Sequence, residues 1–437
     1  MVRLISSTFK NFFYAIQESR ENIFRSGGLV FIYCWLIKTK FLINISSKFE
    51  DEREKGKIKY SLAELIPFIL LHILDGDRRI SHYDRNPNRS LFLRLFKWDK
   101  IPDQSTILKT LQGNPTLSGK LNQFLLEFCV RDIVSYFKKN KCKQITIDVD
   151  QTAREIHGKQ QGVATGYSAG KRNARLFQIR IYSIRELKQT MRVQLMPGNM
   201  HSSSGFSEEI RPIAQLLKKA GITGIFVGDS GFESGEVCDF LHEQGHKFIF
   251  AVRRRKEVKK RGKYSKNKKS HERGATTIKE RFRPVTNKFK NEYREIYVRV
   301  LPPDKQLYFY FAADEFTNIF VANLNCQTWK VYRICRKHAV IETIIEELKN
   351  DFGMGIAHAG NYKVNASMTA CAGIVYNIKN RFLVESGMAN EGFSKMKLST
   401  FQAMYLHTPG EVVRHFNRNI LKISPDRFEM FKKMLAD

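Results

Sequence analysis

The first third of the chain carries apolar residues at helical spacing. Its most apolar stretch, residues 62–74, follows Ser61, and Glu64 stands three residues after that serine. This is the spacing of a capping box, in which each side chain bonds the other residue's backbone N–H. A second helix start is predicted at residues 102–108, where short polar side chains precede an apolar run. Residues 1–140 are therefore predicted to be helical, and the pattern leaves open whether they bind DNA or serve as packing scaffold.

From residue 144 the pattern changes to the two-residue alternation of β-strands. Residues 145–150 alternate in this way. Further strands are predicted at residues 176–184, 192–196, 224–229 and 247–252, with a helix at residues 206–220 between them. Strands that first cluster and then alternate with helices predict an α/β domain with a mixed sheet.

The second half of the chain continues this domain after an interruption. Strand-like alternation at residues 293–300 and 307–312 makes residues 253–318 a predicted β-rich insertion. A strand at residues 319–324 and a helix at residues 339–352 then return to the core, and the last hundred residues are predicted to be helical with a basic tail. The predicted regions are a helical region (1–140), the first part of the core (141–252), the insertion (253–318), the second part of the core (319–385) and a helical tail (386–437).

The charge of the chain indicates a polyanionic partner. The 437 residues include 74 Lys and Arg against 43 Asp and Glu, a net charge of +31. Such an excess repels itself unless a polyanion neutralises it, which favours nucleic acid over an anionic membrane or no partner. Residues 253–273 form a basic run that is either a solvated loop or a phosphate contact, and phosphate contact is favoured. Its predicted DNA-binding residues are Arg253, Arg254, Arg255, Lys259 and Lys260.

Several other classes are disfavoured. The apolar stretch at residues 29–37 is too short to span a bilayer, and residues 1–17 lack the apolar block of a signal peptide. The 7 cysteines are scattered without a CxxC pair. They argue against a disulfide framework or a thiolate zinc site and fit a reducing cytoplasm.

Three acidic positions have settings that suit a metal site. Asp148 and Asp150 lie on one face of their predicted strand, which should end just after Asp150. Asp229 ends another apolar strand, and Glu342 lies beside the core-facing positions of a helix. Any one of them alone is more often a cap, a loop acid or a solvated helix face. Together, in a basic α/β chain, two aspartates and a glutamate form the smallest cage for two Mg²⁺ ions about 4 Å apart in phosphoryl transfer.

Three blocks of sequence resemble those of the DDE transposases of bacterial insertion sequences. The first comprises residues 145–152, 157–162 and 166–167; the second comprises residues 197–202 and 228–232; the third comprises residues 341–353. In the third block Glu342 stands seven residues before Lys349, as in the family, and residues 365–366 and 376–377 match a downstream helical pattern. The resemblance runs from about residue 27 to near the end of the chain, and the order and spacing of the blocks make it specific.

The resemblance implies a ribonuclease H-like core interrupted by a β insertion before the third acid. It implies Asp150 as the first metal ligand, with Asp148 as the alternative, Asp229 as the second and Glu342 as the third. The implied cofactor is a pair of Mg²⁺ ions, which Mn²⁺ can replace. Lys349 is implied to contact DNA.

The activity implied is cleavage of DNA at the ends of an insertion sequence and their joining to target DNA. A metal-activated water would release a 3′-hydroxyl, which then attacks a target phosphodiester. The implied partners are element ends and target DNA, bound by a homodimer in the nucleoid of a prokaryotic cell, without a membrane.

One part of the family signature is altered. Tyr and Arg are expected seven and four residues before the glutamate, and this chain has Cys335 and His338 there. Tyr332 and Arg336 are close but out of register. A histidine contacts phosphate only when protonated and lacks the guanidinium fork. His338 and Arg336 remain predicted DNA contacts, and two alternatives stay open: a DNA-binding protein that has lost catalysis, and a nuclease on the same fold.

Overall fold

The computed structural model describes most of the chain. The described residues are 15–18, 25–140, 144–168, 171–253, 276–283, 285–286, 288–300, 318–385, 396–415, 418–425 and 428.

The first described region is helical, as predicted, from residue 25 to residue 140. Its helices are α1 (Gly28–Lys38), α2 (Phe41–Lys48), α3 (Leu62–Asp75), α4 (Arg89–Phe96), α5 (Gln104–Gln112) and α6 (Leu117–Asn140). The capping box of α3 is confirmed, since the Ser61 backbone N–H donates to Glu64 Oε2 at 3.0 Å. The second predicted start is confirmed as well, because Asp103 caps α5 by accepting the Thr106 N–H at 2.7 Å.

No single helix among the described residues is long and apolar enough to cross a membrane. Only α1 and α2 taken together reach that length, and they meet at a 70° bend.

His72 lies at the centre of the helical region. Its ring is stacked between Tyr83 and Phe92, with centroid distances of 4.1 and 4.0 Å, and its Nδ1 lies 2.7 Å from Asp77 Oδ2. Burial lowers the pKa of His72 below its usual value, against the opposing effect of Asp77. The imidazole is therefore folded into the core in its neutral form.

This burial predicts an acid-sensitive stability. Because the folded-state pKa lies below that of the unfolded chain, about 6.5, the unfolded state takes up a proton that the folded state refuses. Stability from this group is complete above about pH 6.5 and falls below it by up to about 1.4 kcal/mol per pH unit. Urea unfolding across this range should show a shallower loss for His72→Gln, whose amide still donates to Asp77 without titrating. Equal slopes for parent and variant would assign the acid loss to other groups.

A mixed sheet of nine strands forms the core, in the order β3-β4-β2-β6-β7-β10-β9-β8, with β5 also paired to β4. The strands are β2 (Gln144–Glu155), β3 (Ala164–Ser168), β4 (Lys171–Ile184), β5 (Gln189–Pro197), β6 (Thr223–Gly228), β7 (Lys247–Ala251), β8 (Thr276–Arg283), β9 (Tyr293–Val300) and β10 (Asn318–Ala322). Strands β2, β4 and β5 are antiparallel neighbours, whereas β6 and β7 run parallel to β2 and follow it in the sheet. This is the ribonuclease H-like arrangement, and the predicted fold class is confirmed.

The predicted insertion is β-rich where it is described. Strands β8 and β9 pair with each other, and β9 pairs with β10, so they extend the central sheet. Residues 254–275 and 301–317 lie outside the described residues, and with them the predicted strand at 307–312. The predicted DNA contacts that also lie outside are Arg254, Arg255, Lys259 and Lys260.

Helices cover both faces of the sheet. They are α7 (Phe206–Lys219), α8 (Gly235–Glu243), α9 (Thr328–Arg336), α10 (Val340–Asn350) and α11 (Tyr362–Glu385). Ile147 and Val149 share one buried cluster with α7, and α10 contributes Ile341 and Ile344 to a cluster on the opposite face. The even-numbered residues of β2, Asp148 and Asp150 among them, therefore face α10.

Two predictions of secondary structure are wrong. Strand β2 does not end after Asp150 but continues to Glu155, because β4 pairs with it as far as Leu176. The chain is also not helical at both ends: after a short helix, α12 (Leu398–Phe401), strands β11 (Gly410–His415) and β12 (Arg418–Ile423) form a small sheet with β1 (Ala15–Glu18). This pairing joins segments some four hundred residues apart, and local periodicity carries no signal for it.

Candidate active site

Asp150 and Asp229 occupy equivalent positions on neighbouring parallel strands. Val149 of β2 pairs with Gly228 of β6, so each aspartate directly follows the last residue pair that joins the two strands. The Oδ1 of Asp150 accepts the Gln151 N–H at 2.7 Å, and the Oδ1 of Asp229 accepts the N–H of the residue after it at 2.5 Å. The register thus brings the two acids to one place at the carboxyl end of the parallel strands.

Helix α10 lies along β2, and two contacts fix its direction. Just before the helix, His338 Nδ1 lies 2.8 Å from Asp148 Oδ1. Near its end, Lys349 Nζ donates to Thr152 Oγ1 at 2.6 Å. The helix therefore advances from Asp148 towards Thr152, in the same direction as the strand.

These contacts place Glu342 level with Asp150. A helix rises about 1.5 Å per residue and a strand about 3.3 Å, so the one-turn step from His338 to Glu342 matches the two-residue step from Asp148 to Asp150. Positions 338, 342 and 349 share one side of the helix, since they are separated by four and seven residues. Glu342 therefore lies on the side of α10 that carries the contacts to β2.

The electrostatics of Asp150 agree with this placement. Its side chain is half-buried, and burial raises the pKa of its carboxyl above the usual range. The carboxylates of Asp229 and Glu342 raise this pKa further, while the Gln151 N–H and His338 act in the opposite direction. Three carboxylates thus act on one another at this end of the sheet, and a divalent cation would relieve their repulsion.

The three acids suit Mg²⁺ by their chemistry. Carboxylate oxygens are the ligands that this hard cation prefers, and Asp150, Asp229 and Glu342 offer them without a thiolate. In the part of the chain that the structure describes, no three His, Cys, Asp or Glu side chains lie close enough together to hold a metal ion as they stand. Register and electrostatics thus bring the acids near one another, and their role as ligands remains a prediction.

Asp148 has a different setting, although it faces the same way as Asp150. Its side chain is 1% exposed and both of its oxygens are used. Arg185 donates from Nε to Oδ2 at 2.8 Å and from Nη2 to Oδ1 at 2.5 Å, and His338 contacts Oδ1. A carboxylate held by a bidentate guanidinium and an imidazole is a structural ion pair. The geometry favours Asp150 over Asp148 as the first ligand.

Arg185 is the residue of this region that sequence reasoning missed. It follows β4 directly, and its Nη1 donates to the Ile334 carbonyl at 2.9 Å, which ties the end of α9 to β2. The altered signature positions lie beside it. His338 binds Asp148, and the half-buried Cys335 has a thiol whose pKa is raised by burial. The only signal for Arg185 in the sequence is an arginine directly after an apolar strand.

Lys349, a predicted DNA contact, is bound by the protein. Its Nζ donates to the Ala153 carbonyl at 2.7 Å as well as to Thr152. Burial lowers the pKa of Lys349, and the nearby Asp150 opposes that effect. Lys349 therefore braces α10 against β2, and its contact with DNA remains a prediction.

Two buried arginines fix the loops around the site, and neither was predicted. Arg154, whose pKa burial lowers to about 10, donates from Nη1 to the Met354 carbonyl at 2.9 Å and so holds the loop after α10. Arg180 donates from Nη2 to the Ser202 carbonyl at 2.9 Å, in the loop that follows β5. That loop packs on the turn after Asp229, where a Cβ on Gly231 would lie 2.1 Å from Ser202 Oγ. A charged residue inside an apolar strand was the available signal.

The other predicted DNA contacts among the described residues are exposed. Arg253 follows β7, and Arg336 is the last residue of α9, two residues before His338. Neither touches the three acids in the contacts described above. Their role in DNA binding stays a prediction.

Comparisons with known proteins follow from this geometry. The family model described as transposase DDE domain group 1 matches residues 16–435. No curated protein matches the chain. One similar solved structure is a piggyBac transposase synaptic complex with hairpin DNA, at 12% identity and a TM-score of 0.43, covering 86% of this chain and 79% of that one. Another is the Mos1 transposase paired-end complex with left transposon end, at 14% identity and a TM-score of 0.17, covering 49% and 66%.

Proposed function

Since the chain belongs to the group 1 DDE transposases, we propose that it cuts DNA at the ends of an insertion sequence and joins those ends to target DNA. The observation that supports this most is the pairing of Val149 with Gly228, which sets Asp150 and Asp229 side by side under the helix of Glu342. The net charge of +31 supplies the attraction to the DNA backbone.

Asp150, Asp229 and Glu342 would hold the two Mg²⁺ ions, which Mn²⁺ can replace. When bound, such ions neutralise the charge of the phosphodiester and align its attacking and leaving oxygens. The protein's own contribution is to keep the carboxylates in place before the DNA arrives. Arg185 and His338 fix Asp148 and the start of α10, and Lys349 fixes its end.

The reaction has two steps of the same kind. In cleavage, water attacks the phosphorus at the element's end, the bond to the 3′ oxygen breaks, and that oxygen takes up a proton to become a hydroxyl. In joining, this 3′-hydroxyl loses its proton and attacks a target phosphodiester, whose own 3′ oxygen leaves. Positioning and charge stabilisation carry most of the catalysis in such a reaction. Because two ends must be brought to one target, a homodimer is the smallest assembly that suits it.

The test is strand cleavage and transfer with DNA that carries the element's terminal repeat, in Mg²⁺. The parent should cut and join this DNA, and Asp229→Ala should still bind it but cut at least about 1,000-fold more slowly, because a charge that supports the transition state is lost. Glu243→Ala removes an exposed acid from the end of α8 and serves as the matched control.

Each other outcome identifies a different protein. Metal-independent binding without cutting by the parent would indicate a transposase-derived protein that has lost catalysis, which the altered positions Cys335 and His338 favour. Cutting without joining would indicate a nuclease. Unchanged cutting by Asp229→Ala would remove this residue from the site.

A further inference from the structure

The hairpin of β3 and β4 carries an exposed tyrosine at one end of the central sheet. Strand β3 is the terminal strand of the sheet order, and Tyr167 on it is 68% exposed. Thr165 lies directly opposite Arg175 of β4 and is two residues before Tyr167, so all three side chains share one side of the hairpin. The surface of Thr165, Tyr167 and Arg175 is called the hairpin face below.

The hairpin face continues the face of the sheet that carries the acids. Asp150 is paired with Ile181 of β4 and Arg154 with Phe177, and directly opposite residues point to the same side. Two residues beyond Phe177 along β4, Arg175 points to that side as well. The Ile156 N–H donates to the Arg175 carbonyl at 2.8 Å, which sets the hairpin six residues beyond Asp150. At about 3.3 Å per residue this is roughly 20 Å, the length of about six nucleotides of one strand.

The backbone that carries Tyr167 is held in place. Gln178 Nε2 donates to the Tyr167 carbonyl at 3.2 Å. Gly166 and Gly198 meet so closely that a Cβ on Gly166 would lie 2.1 Å from the Gly198 carbonyl oxygen. An aromatic side chain on a fixed backbone loses little conformational freedom when it binds a partner.

The charge and polarity of the hairpin face fit nucleic acid. Lys171 pairs with Glu155 at 3.0 Å, whereas Arg175 has no carboxylate partner among the residues that the structure describes. Next to Tyr167 the face offers Thr165 and Arg175, so it lacks the contiguous apolar patch that a protein partner or a lipid surface needs. One isolated exposed aromatic residue is common on protein surfaces. Here it stands beside a cation and in line with the acids, the combination with which proteins bind single strands or frayed duplex ends.

We propose that the hairpin face binds the DNA strand that leads away from the cleaved phosphodiester. Tyr167 stacks on a base about six nucleotides from that bond, and Arg175 contacts a neighbouring phosphate. This inference rests on the proposed function, because it takes the acids as the place of cleavage.

The experiment measures binding without cleavage, in EDTA, to duplexes that carry the terminal repeat and a single 2-aminopurine moved along each strand. The parent should change the fluorescence of 2-aminopurine about six nucleotides from the cleavage position, and Tyr167→Ala should lose that change. Tyr167→Ala should also bind about 5- to 150-fold more weakly, the cost of one lost base–aromatic stack, and Tyr167→Phe should bind like the parent. Arg175→Ala should lower the slope of log affinity against log salt by about one, and Arg175→Lys should restore it.

Phe282 provides the matched control. It is 57% exposed on β8, the terminal strand at the other end of the same sheet. At saturating protein, Phe282→Ala should keep the fluorescence change that Tyr167→Ala loses. The inference is overturned if Tyr167→Ala keeps the affinity and fluorescence profile of the parent, or if Phe282→Ala loses the same signal. A parent that shows the Tyr167-dependent signal but never cuts in Mg²⁺ would contradict the proposed function and leave the hairpin face in place.

Discussion

Asp150→Asn should abolish strand cleavage and leave the fold intact, whereas Asp148→Ala should destabilise the fold. Asp150 is half-buried beside two other acids, and its replacement by a neutral amide relieves repulsion while removing a ligand charge. We expect cleavage to fall at least about 1,000-fold with an unchanged free energy of unfolding. In Asp148→Ala, Arg185 and His338 lose a carboxylate that is 1% exposed, and the free energy of unfolding should fall by about 3 kcal/mol.

Urea unfolding and single-turnover cleavage of terminal-repeat DNA measure the two effects separately. Asp148→Asn is the milder companion variant, because its amide oxygen still accepts one hydrogen bond from Arg185 and should recover part of the stability. A stable Asp148→Ala protein that binds DNA but does not cut would reverse the assignment and make Asp148 the first ligand. Unchanged cutting by Asp150→Asn would contradict the site as a whole.

The central fold was predictable because its elements are locally consistent. The alternation in β2 and the core-facing isoleucines of α10 each indicate their element, and the sheet order follows once strands and helices alternate. The pairing of β1 with β12 joins distant segments and leaves no mark on local periodicity. Likewise, the length of β2 beyond Asp150 depends on its partner β4, so the strand outlasts the point where the sequence pattern ends.

The candidate site was predictable in its acids and not in what holds them. Sequence spacing indicates Glu342 and Lys349 as a pair, since they share one side of a helix. Asp148 and Asp150 could not be separated, because alternation gives both the same orientation. Their difference comes from Arg185, thirty-seven residues away from Asp148, which binds one carboxylate and not the other. A long-range side-chain contact of this kind appears only when the fold is known.

Glu342→Gln should lose cleavage to the same extent as Asp150→Asn, at least about 1,000-fold, while Glu346→Gln on the same helix should cut like the parent. Glu342 lies level with Asp150 on the side of α10 that faces β2, and it raises the Asp150 pKa. Glu346 lies one turn further on, is 61% exposed and makes only a surface pair with Lys397 at 3.7 Å. Exposed pairs of this kind contribute at most about 1 kcal/mol, so losing one should leave both stability and cleavage nearly unchanged.

Both variants keep the shape of the side chain and remove one negative charge, so a difference between them measures position along the helix. Because +31 is a large charge, either variant should bind DNA slightly more tightly through long-range attraction, and affinity alone does not separate them. Single-turnover cleavage at saturating DNA does. Equal losses in both variants would mean that the charge of α10 acts as a whole. A loss in Glu346→Gln alone would mean that α10 turns by about one residue to present a different acid to Asp150, and the register of the helix against β2 would then have to change with it.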